Sequence, residues 1–282
     1  MMKIHALQTG EVRVSPYLPF GGEKCGLLKA AGITTPKRKW IWIPVYCYLI
    51  EHPNGYVLID TGWHREMSPQ GVCDRHAQIK SLGSYFLYQT NQGLLPPGAA
   101  IDEQLAKMGI SPKDLSYVVL THLDCDHANG LKLVADAQNI LVSANDIAGA
   151  YRGGLTNHIR FQPRWWEGTK IRTFEWNVSE GPVGCSYDLW GDGSITLVKI
   201  PGHSAGMVAV KIVAADGRFV LLTADGAYAR RSWQEMILPG IAQDRQAQKK
   251  SLEWIRQQSM SDKCVEVLAT HDADVKPHVI EL

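Results

Sequence analysis

The stretch LSYVVLTHLDCDHANG, residues 115 to 130, decides how the rest of the chain is read. Its first half, Leu115 to Thr121, is an apolar run of strand length. It then breaks into four potential metal ligands within six residues: His122, Asp124, Asp126 and His127. Imidazole nitrogen and carboxylate oxygen suit Zn²⁺ and other borderline or hard divalent ions. A single histidine at a strand end is more often a structural hydrogen-bonding residue. Several charged groups gathered at the end of a buried strand are different, because burying them without a cation is very costly.

One short loop cannot surround an ion alone, so further donors must come from elsewhere. Three follow other apolar strands that end abruptly in polar residues: His203 in PGHSAG (201–206), Asp225 in TADG (223–226) and His271 in THD (270–272). Seven donors from four strand ends are what two adjacent divalent ions require.

Strand-like segments also open the chain, at Lys3 to Leu7, Glu11 to Ser15, Val45 to Glu51 and Tyr56 to Asp60, the last two joined by His52-Pro53-Asn54-Gly55. Residues 67–97 are irregular and aromatic, the pattern of a lid or binding loop. A helix is predicted over Ile101 to Met108, another over His127 to Ala137, a strand over Asn139 to Val142 and a capped helix over Ser143 to Tyr151. Residues 152–182, including Trp165-Trp166, carry no clear period. Beyond them lie a strand at Ser194 to Ile200, a hairpin of Met207 to Ala214 and Arg218 to Thr223 about Asp216-Gly217, a helix near Asp244 to Met260 and a strand at Val265 to Thr270. Each half runs strands first and then strand and helix units. The expectation is an α+β fold, a four-layer αββα sandwich built as a single domain over residues 1–282.

Composition narrows the function. The 282 residues carry 29 Lys+Arg against 28 Asp+Glu, a formal charge of +1, which gives no general drive toward phosphate backbones or anionic lipid. Nucleic acid and membrane partners are not expected. The longest apolar run, Trp40 to Ile50, is far short of the roughly 20 residues a span needs. The N-terminus alternates like a strand rather than a signal peptide. Six scattered cysteines without a CxxC pair suit a reducing compartment, so a cytoplasmic location is expected.

Taken in order, THLDCDHANG, PGHSAG, LLTADGAY and LATHD, together with YVLIDTG at 56–62, resemble the metallo-β-lactamase-fold hydrolases, and within them the N-acyl homoserine lactonases. The resemblance runs from about Lys3 to His278. It implies that His122, Asp124 and His203 hold a first divalent ion and Asp126, His127 and His271 a second, with Asp225 between them. It implies zinc, with manganese or iron as alternatives, and a ring-opening attack on a small-molecule lactone by a metal-bridging hydroxide. Tyr228 matches the family tyrosine that contacts the substrate carbonyl, and Asp126 the residue that carries a proton to the leaving alkoxide.

One position departs from the family pattern HxHxDH: Asp124 stands where the second histidine belongs. A carboxylate ligates at about 2.0–2.2 Å but is shorter than imidazole and adds negative charge. Either the first site persists with a bias toward harder ions, or it is weakened and only the second ion binds tightly. Cys125 is expected to point away from the donors as pocket wall or core. Asp272 is open between orienting His271 and lying in solvent, and His64 is read as a surface residue.

Three rivals stay in view: a thioesterase or other ester or phosphodiester hydrolase of the same fold, a non-catalytic decayed site, and a serine hydrolase. The last rests on Gly202-His203-Ser204-Ala205-Gly206, which fits G-x-S-x-G, with Ser204, Asp225 and His271 in triad order. That motif needs a helix after the serine, whereas a strand is predicted there. Acyl-chain preference and oligomeric state are not legible.

Overall fold

The computed structural model describes residues 1–282, except for the side chain of Leu155. In chain order its strands are β1 (Lys3–Val14), β2 (Ile41–His52), β3 (Gly55–Ile59), β4 (Gln92–Leu94), β5 (Leu115–Val119), β6 (Ile140–Ser143), β7 (Ile171–Phe174), β8 (Ser186–Asp188), β9 (Ile195–Lys199), β10 (Val208–Val213), β11 (Phe219–Leu222), β12 (Cys264–Leu268) and β13 (Val279–Glu281). One sheet runs β13-β1-β2-β3-β5-β6-β7 with β4 beside β1, and the other runs β12-β11-β10-β9-β8.

Side chains alternate across each strand, and here both faces are covered, so the strands read as continuous apolar runs. Ile50, Val57, Ile59 and Val119 point between the sheets to meet Leu197, Val208, Val210 and Leu222. Their neighbours Leu49, Leu58 and Val118 point the other way, onto Ile101, Leu105 and Leu131. On the far side Ala209 and Leu221 pack against Leu252, Trp254 and Ile255 of the Arg245–Ser259 helix. Three apolar layers between four layers of backbone make the αββα sandwich that the strand pattern predicts.

Strand direction positions the candidate site. β3 and β5 are parallel, so Asp60 and His122 leave the first sheet at one edge. In the second sheet β10 is antiparallel to both β9 and β11, and β12 is parallel to β11. The carboxyl ends of β9, β11 and β12 therefore lie together, carrying His203, Asp225 and His271. Hydrogen bonds join the sheets along this edge: Val208 N to Thr121 O at 3.0 Å, Tyr46 N to Thr270 O at 3.0 Å, and the Tyr48 hydroxyl to Ala269 O at 3.1 Å.

Several boundaries differ from expectation. The two N-terminal strands are one, β1, interrupted by a register shift between Gln8 and Glu11 where Gly10 takes φ +95°. The 67–97 segment contains two capped helices, Arg75–Leu82 and Tyr85–Thr90, whose caps Asp74 and Ser84 accept from Ala77 N and Leu87 N. His127 to Ala137 forms no single helix: one α turn, Cys125–Ala128, leads into 3-10 turns over Asn129–Val134. The unassigned 152–182 region supplies the Gly154–Arg160 helix and β7. Trp165 and Trp166 lie in the core. Among the described residues no helix is long and apolar enough to cross a membrane.

Gly202 is fixed by close approach. It holds φ +141°, and a Cβ there would run into the backbone of Gln248 in the Arg245–Ser259 helix. Gly202→Ala is expected to cost about 2–3 kcal/mol through strain and overpacking, read as a lowered Tm. An unchanged Tm would show that the helix is not seated against this turn.

Candidate metal centre

Asp60 ends β3 in the left-handed region at φ +59°, a conformation that a non-glycine residue holds only when its surroundings demand it. Both of its oxygens are engaged. Oδ1 accepts from Thr121 N at 2.8 Å; Oδ2 accepts from Thr121 Oγ1 and from His127 Nδ1, each at 2.8 Å. Because the Thr121 hydroxyl hydrogen goes to Asp60, Thr121 Oγ1 accepts from His122 Nδ1, 3.0 Å away. One buried carboxylate thus fixes the tautomers of two histidines and frees both Nε2 atoms to face the site. His271 is set independently: its Nδ1 donates to Pro44 O at 2.8 Å. Orienting partners of this kind are typical of metal-ligating histidines.

The seven residues singled out from the sequence converge in two groups. His122, Asp124, His203 and Asp225 offer one set of donor atoms, and Asp126, His127 and His271 the other, with the atoms of each group lying within 4.8 Å of one another. Asp225 faces both: its Oδ1 is 3.2 Å from His127 Nε2 and 3.2 Å from His271 Nε2, and its Oδ2 is 3.5 Å from His203 Nε2 and 4.0 Å from His122 Nε2. Ala224, just before it, also has positive φ, at +45°.

The donors fit divalent ions. The Nε2 atoms of His122 and His127 and Oδ1 of Asp225 face the site and are buried without hydrogen-bond partners, a costly state unless a cation satisfies them. Metal–ligand bonds of about 2.0–2.2 Å in a tetrahedron put ligand atoms about 3.3–3.6 Å apart. In the second group the His271 Nε2 to Asp126 Oδ2 distance is 3.5 Å, and both contacts to Asp225 are 3.2 Å.

The first group contains a residue that sequence reasoning missed. Arg160, at the end of the Gly154–Arg160 helix, donates from Nε to Asp124 Oδ1 and from Nη2 to Asp124 Oδ2 at 2.6 Å. The same Nη2 lies 2.7 Å from His203 Nε2, and Nη1 donates to His203 O at 2.9 Å. Burial alone would raise the Asp124 pKa, but the Arg160 charge, the closeness of His122 and His203, and the hydrogen bonds from Arg160 hold it well below the usual range. Burial, and then the same guanidinium, lower the pKa of His203.

The other expectations resolve as follows. Tyr228 is buried with its ring stacked on His271, centroids 5.2 Å apart; burial, then the Asp225 charge, keeps its phenol protonated far above the ordinary range. Cys125 lines the cavity beside the donors and belongs to the core, its thiol raised by burial. Asp272 does not reach His271: its oxygens accept from Arg230 N at 2.7 Å and Asp274 N at 3.1 Å. The His64 ring accepts from Glu66 N and stays outside the centre. Ser204 is buried with its hydroxyl on Asp146 Oδ2 at 3.1 Å, and the chain beyond it enters β10 rather than a helix, so the serine-nucleophile reading fails.

Above the donors sits a cavity of about 290 Å³. Its walls are apolar, with Val12, Val14, Leu18, Ile43, Phe86 and Leu87 among them. Asp126, Arg160, His203, Asp225, Tyr228 and His271 line its polar part.

Two imidazole–carboxylate clusters at the joined edge of an αββα sandwich define a metallo-hydrolase scaffold. The family model of the Metallo-beta-lactamase superfamily matches residues 40–258, and the chain belongs to that superfamily. Curated relatives include the N-acyl homoserine lactonase AttM of Azorhizobium caulinodans, 28% identical over 249 residues and covering 83% of this chain and 84% of that protein. The N-acyl homoserine lactonase of Bacillus cereus is 24% identical over 236 residues, 82% of each. Among solved structures, an N-acyl homoserine lactone hydrolase with N-hexanoyl-L-homoserine at its catalytic metal centre superimposes with a TM-score of 0.72 at 20% identity, covering 96% of this chain and 94% of that one.

Asp60→Asn keeps the shape and the tolerance for left-handed backbone but cannot accept equally from Thr121 and His127. Divalent-ion affinity is expected to fall about 10- to 100-fold, measured by competition with a chromophoric chelator; unchanged affinity would remove Asp60 from its orienting role.

Proposed function

We propose that this protein is a metal-dependent lactonase that opens the ring of N-acyl homoserine lactones, a quorum-quenching hydrolase. The observation that carries the reading is the placement of two donor clusters, Asp126 among them, at the polar end of an apolar cavity, with Tyr228 beside them. A homoserine lactone with an acyl tail has the same polarity: a compact polar ring and an apolar chain. The relatives' activities and the superfamily support it.

In this reading His122, Asp124 and His203 would hold a first divalent ion and Asp126, His127 and His271 a second, with Asp225 facing both, and zinc would be the first choice with manganese or iron the alternatives. Such ions supply Lewis acidity toward the ester carbonyl and water of lowered pKa. The remaining work falls to the chain. Tyr228, kept protonated by burial, donates its hydroxyl to the developing oxyanion. Asp126 takes a proton from the attacking water and passes it to the alkoxide released on ring opening. The apolar walls hold the tail and keep bulk water from the ring. A cytoplasmic location, in keeping with six free cysteines, completes the reading.

The test is proton release from a panel of acylated and plain lactones, with a thioester and a phosphodiester as controls. Acylated lactones should turn over fastest. A chelator should abolish the activity, added divalent metal should restore it, and Ser204→Ala should retain it. Turnover of the thioester or phosphodiester with inert lactones would move the function to another ester class. Tyr228→Phe is expected to lower kcat about 10- to 1000-fold through loss of one oxyanion donor; an unchanged kcat would reassign Tyr228 to packing.

A further inference from the structure

Three of the four candidate histidine ligands share one design. In His122, His127 and His271 the Nδ1 hydrogen is taken up by Thr121 Oγ1, Asp60 and Pro44 O, which leaves the Nε2 lone pair aimed at the site. His203 breaks this design. Its Nδ1 is buried without a partner, and its Nε2 lies 2.7 Å from Arg160 Nη2 and 2.8 Å from Asp124 Oδ2. Whichever tautomer the ring adopts, Nε2 is committed. Unprotonated, it accepts from the guanidinium; protonated, it donates to the carboxylate. An imidazole nitrogen has a single lone pair, so Arg160 and a divalent ion cannot both use it.

Asp124 is claimed as well. The guanidinium meets both of its oxygens in the two-pronged geometry that makes such pairs strong. The 2.8 Å separation of His203 Nε2 and Asp124 Oδ2 is also shorter than the spacing of atoms sharing a tetrahedral ion, about 3.3–3.6 Å. In the second group His271 Nε2 lies 3.5 Å from Asp126 Oδ2 and both contacts to Asp225 are 3.2 Å, and no Lys or Arg side chain pairs with those carboxylates among the described residues.

We propose that Arg160 is a built-in competitor for the first metal position, so the two halves of the centre fill unequally. The half formed by Asp126, His127, His271 and Asp225 takes a divalent ion tightly. The half formed by His122, Asp124, His203 and Asp225 takes one only when the guanidinium withdraws from His203. In the one-ion form Arg160 supplies the second positive charge at the polar end of the cavity and offsets Asp124, the carboxylate this chain carries in place of an imidazole. This inference rests on the metal-centre reading above and adds an order of filling to it.

The experiment is a titration of the metal-stripped full-length protein with Zn²⁺ and, separately, Co²⁺ against a chromophoric chelator, with retained metal counted after dialysis. In the unaltered protein the second equivalent should bind about 100-fold more weakly than the first, the upper end of what partners of metal ligands contribute. Arg160→Met keeps the apolar stem and removes the guanidinium; the two steps should then converge to within about 10-fold. Arg160→Lys retains a charge without the planar two-pronged group, and its second step should fall between the two. Circular dichroism confirms that each variant is folded.

Two equally tight equivalents in the unaltered protein would overturn the proposal and leave the metal centre standing. A second step unmoved in Arg160→Met would also overturn it. Should neither variant fold, the stepwise affinities of the unaltered protein decide alone. No tight equivalent at all would overturn the metal-centre reading and this inference together, and lactone turnover in the same preparation reports on the substrate class separately.

Discussion

Two of the four histidines at the centre are oriented by a carboxylate that is not itself among the candidate ligands. Asp60 leaves β3 in a left-handed conformation and receives hydrogen bonds from the backbone and hydroxyl of Thr121 and from the ring of His127. Through Thr121 it also governs His122. Two imidazoles that face different halves of the site therefore take their orientation from the same two oxygens. Such an arrangement is rigid because each of these hydrogen bonds is buried, and costly to disturb because breaking one leaves a desolvated polar group unpaired.

The sheets make that arrangement reachable. Parallel pairing of β3 with β5 brings Asp60 beside Thr121, and the alternation of β9, β10 and β11 followed by parallel β12 brings three further donors to the facing edge. The connections across the edge are backbone hydrogen bonds such as Val208 N to Thr121 O, so the spacing between donor groups is set by the ladder rather than by flexible side chains. The cavity then follows from what lies beside this edge, with walls from β1, β2 and the Tyr85–Thr90 helix.

Much of this was legible beforehand. Apolar runs ending in His or Asp marked β5, β9, β11 and β12, and the donors they deliver converge as the motif order implied. Strand boundaries were blurred at β1 because a bulge at Gly10 looks like a turn in sequence. The segment after His127 misled because its apolar spacing fits a helix, yet Gly130 is packed against the Thr61 backbone and the chain tightens into 3-10 turns. Asp60 carried a visible signal, an acid closing an apolar strand, and its role lay in a hydrogen-bond chain that no spacing reveals. Arg160 carried none: it sits in a region of mixed composition, and only the tertiary fold brings it against Asp124, 36 positions away.

The apolar wall of the cavity and the candidate metal centre meet at two consecutive residues. Ile43 forms part of the apolar wall, while the carbonyl of its neighbour Pro44 fixes the ring of His271. Reshaping the wall at Ile43 therefore tugs on the hydrogen bond that holds that imidazole. The form of the cavity is mechanically tied to the donor geometry at this spot, whereas Phe86 and Leu87, borne on a separate helix, can change without pulling on a donor.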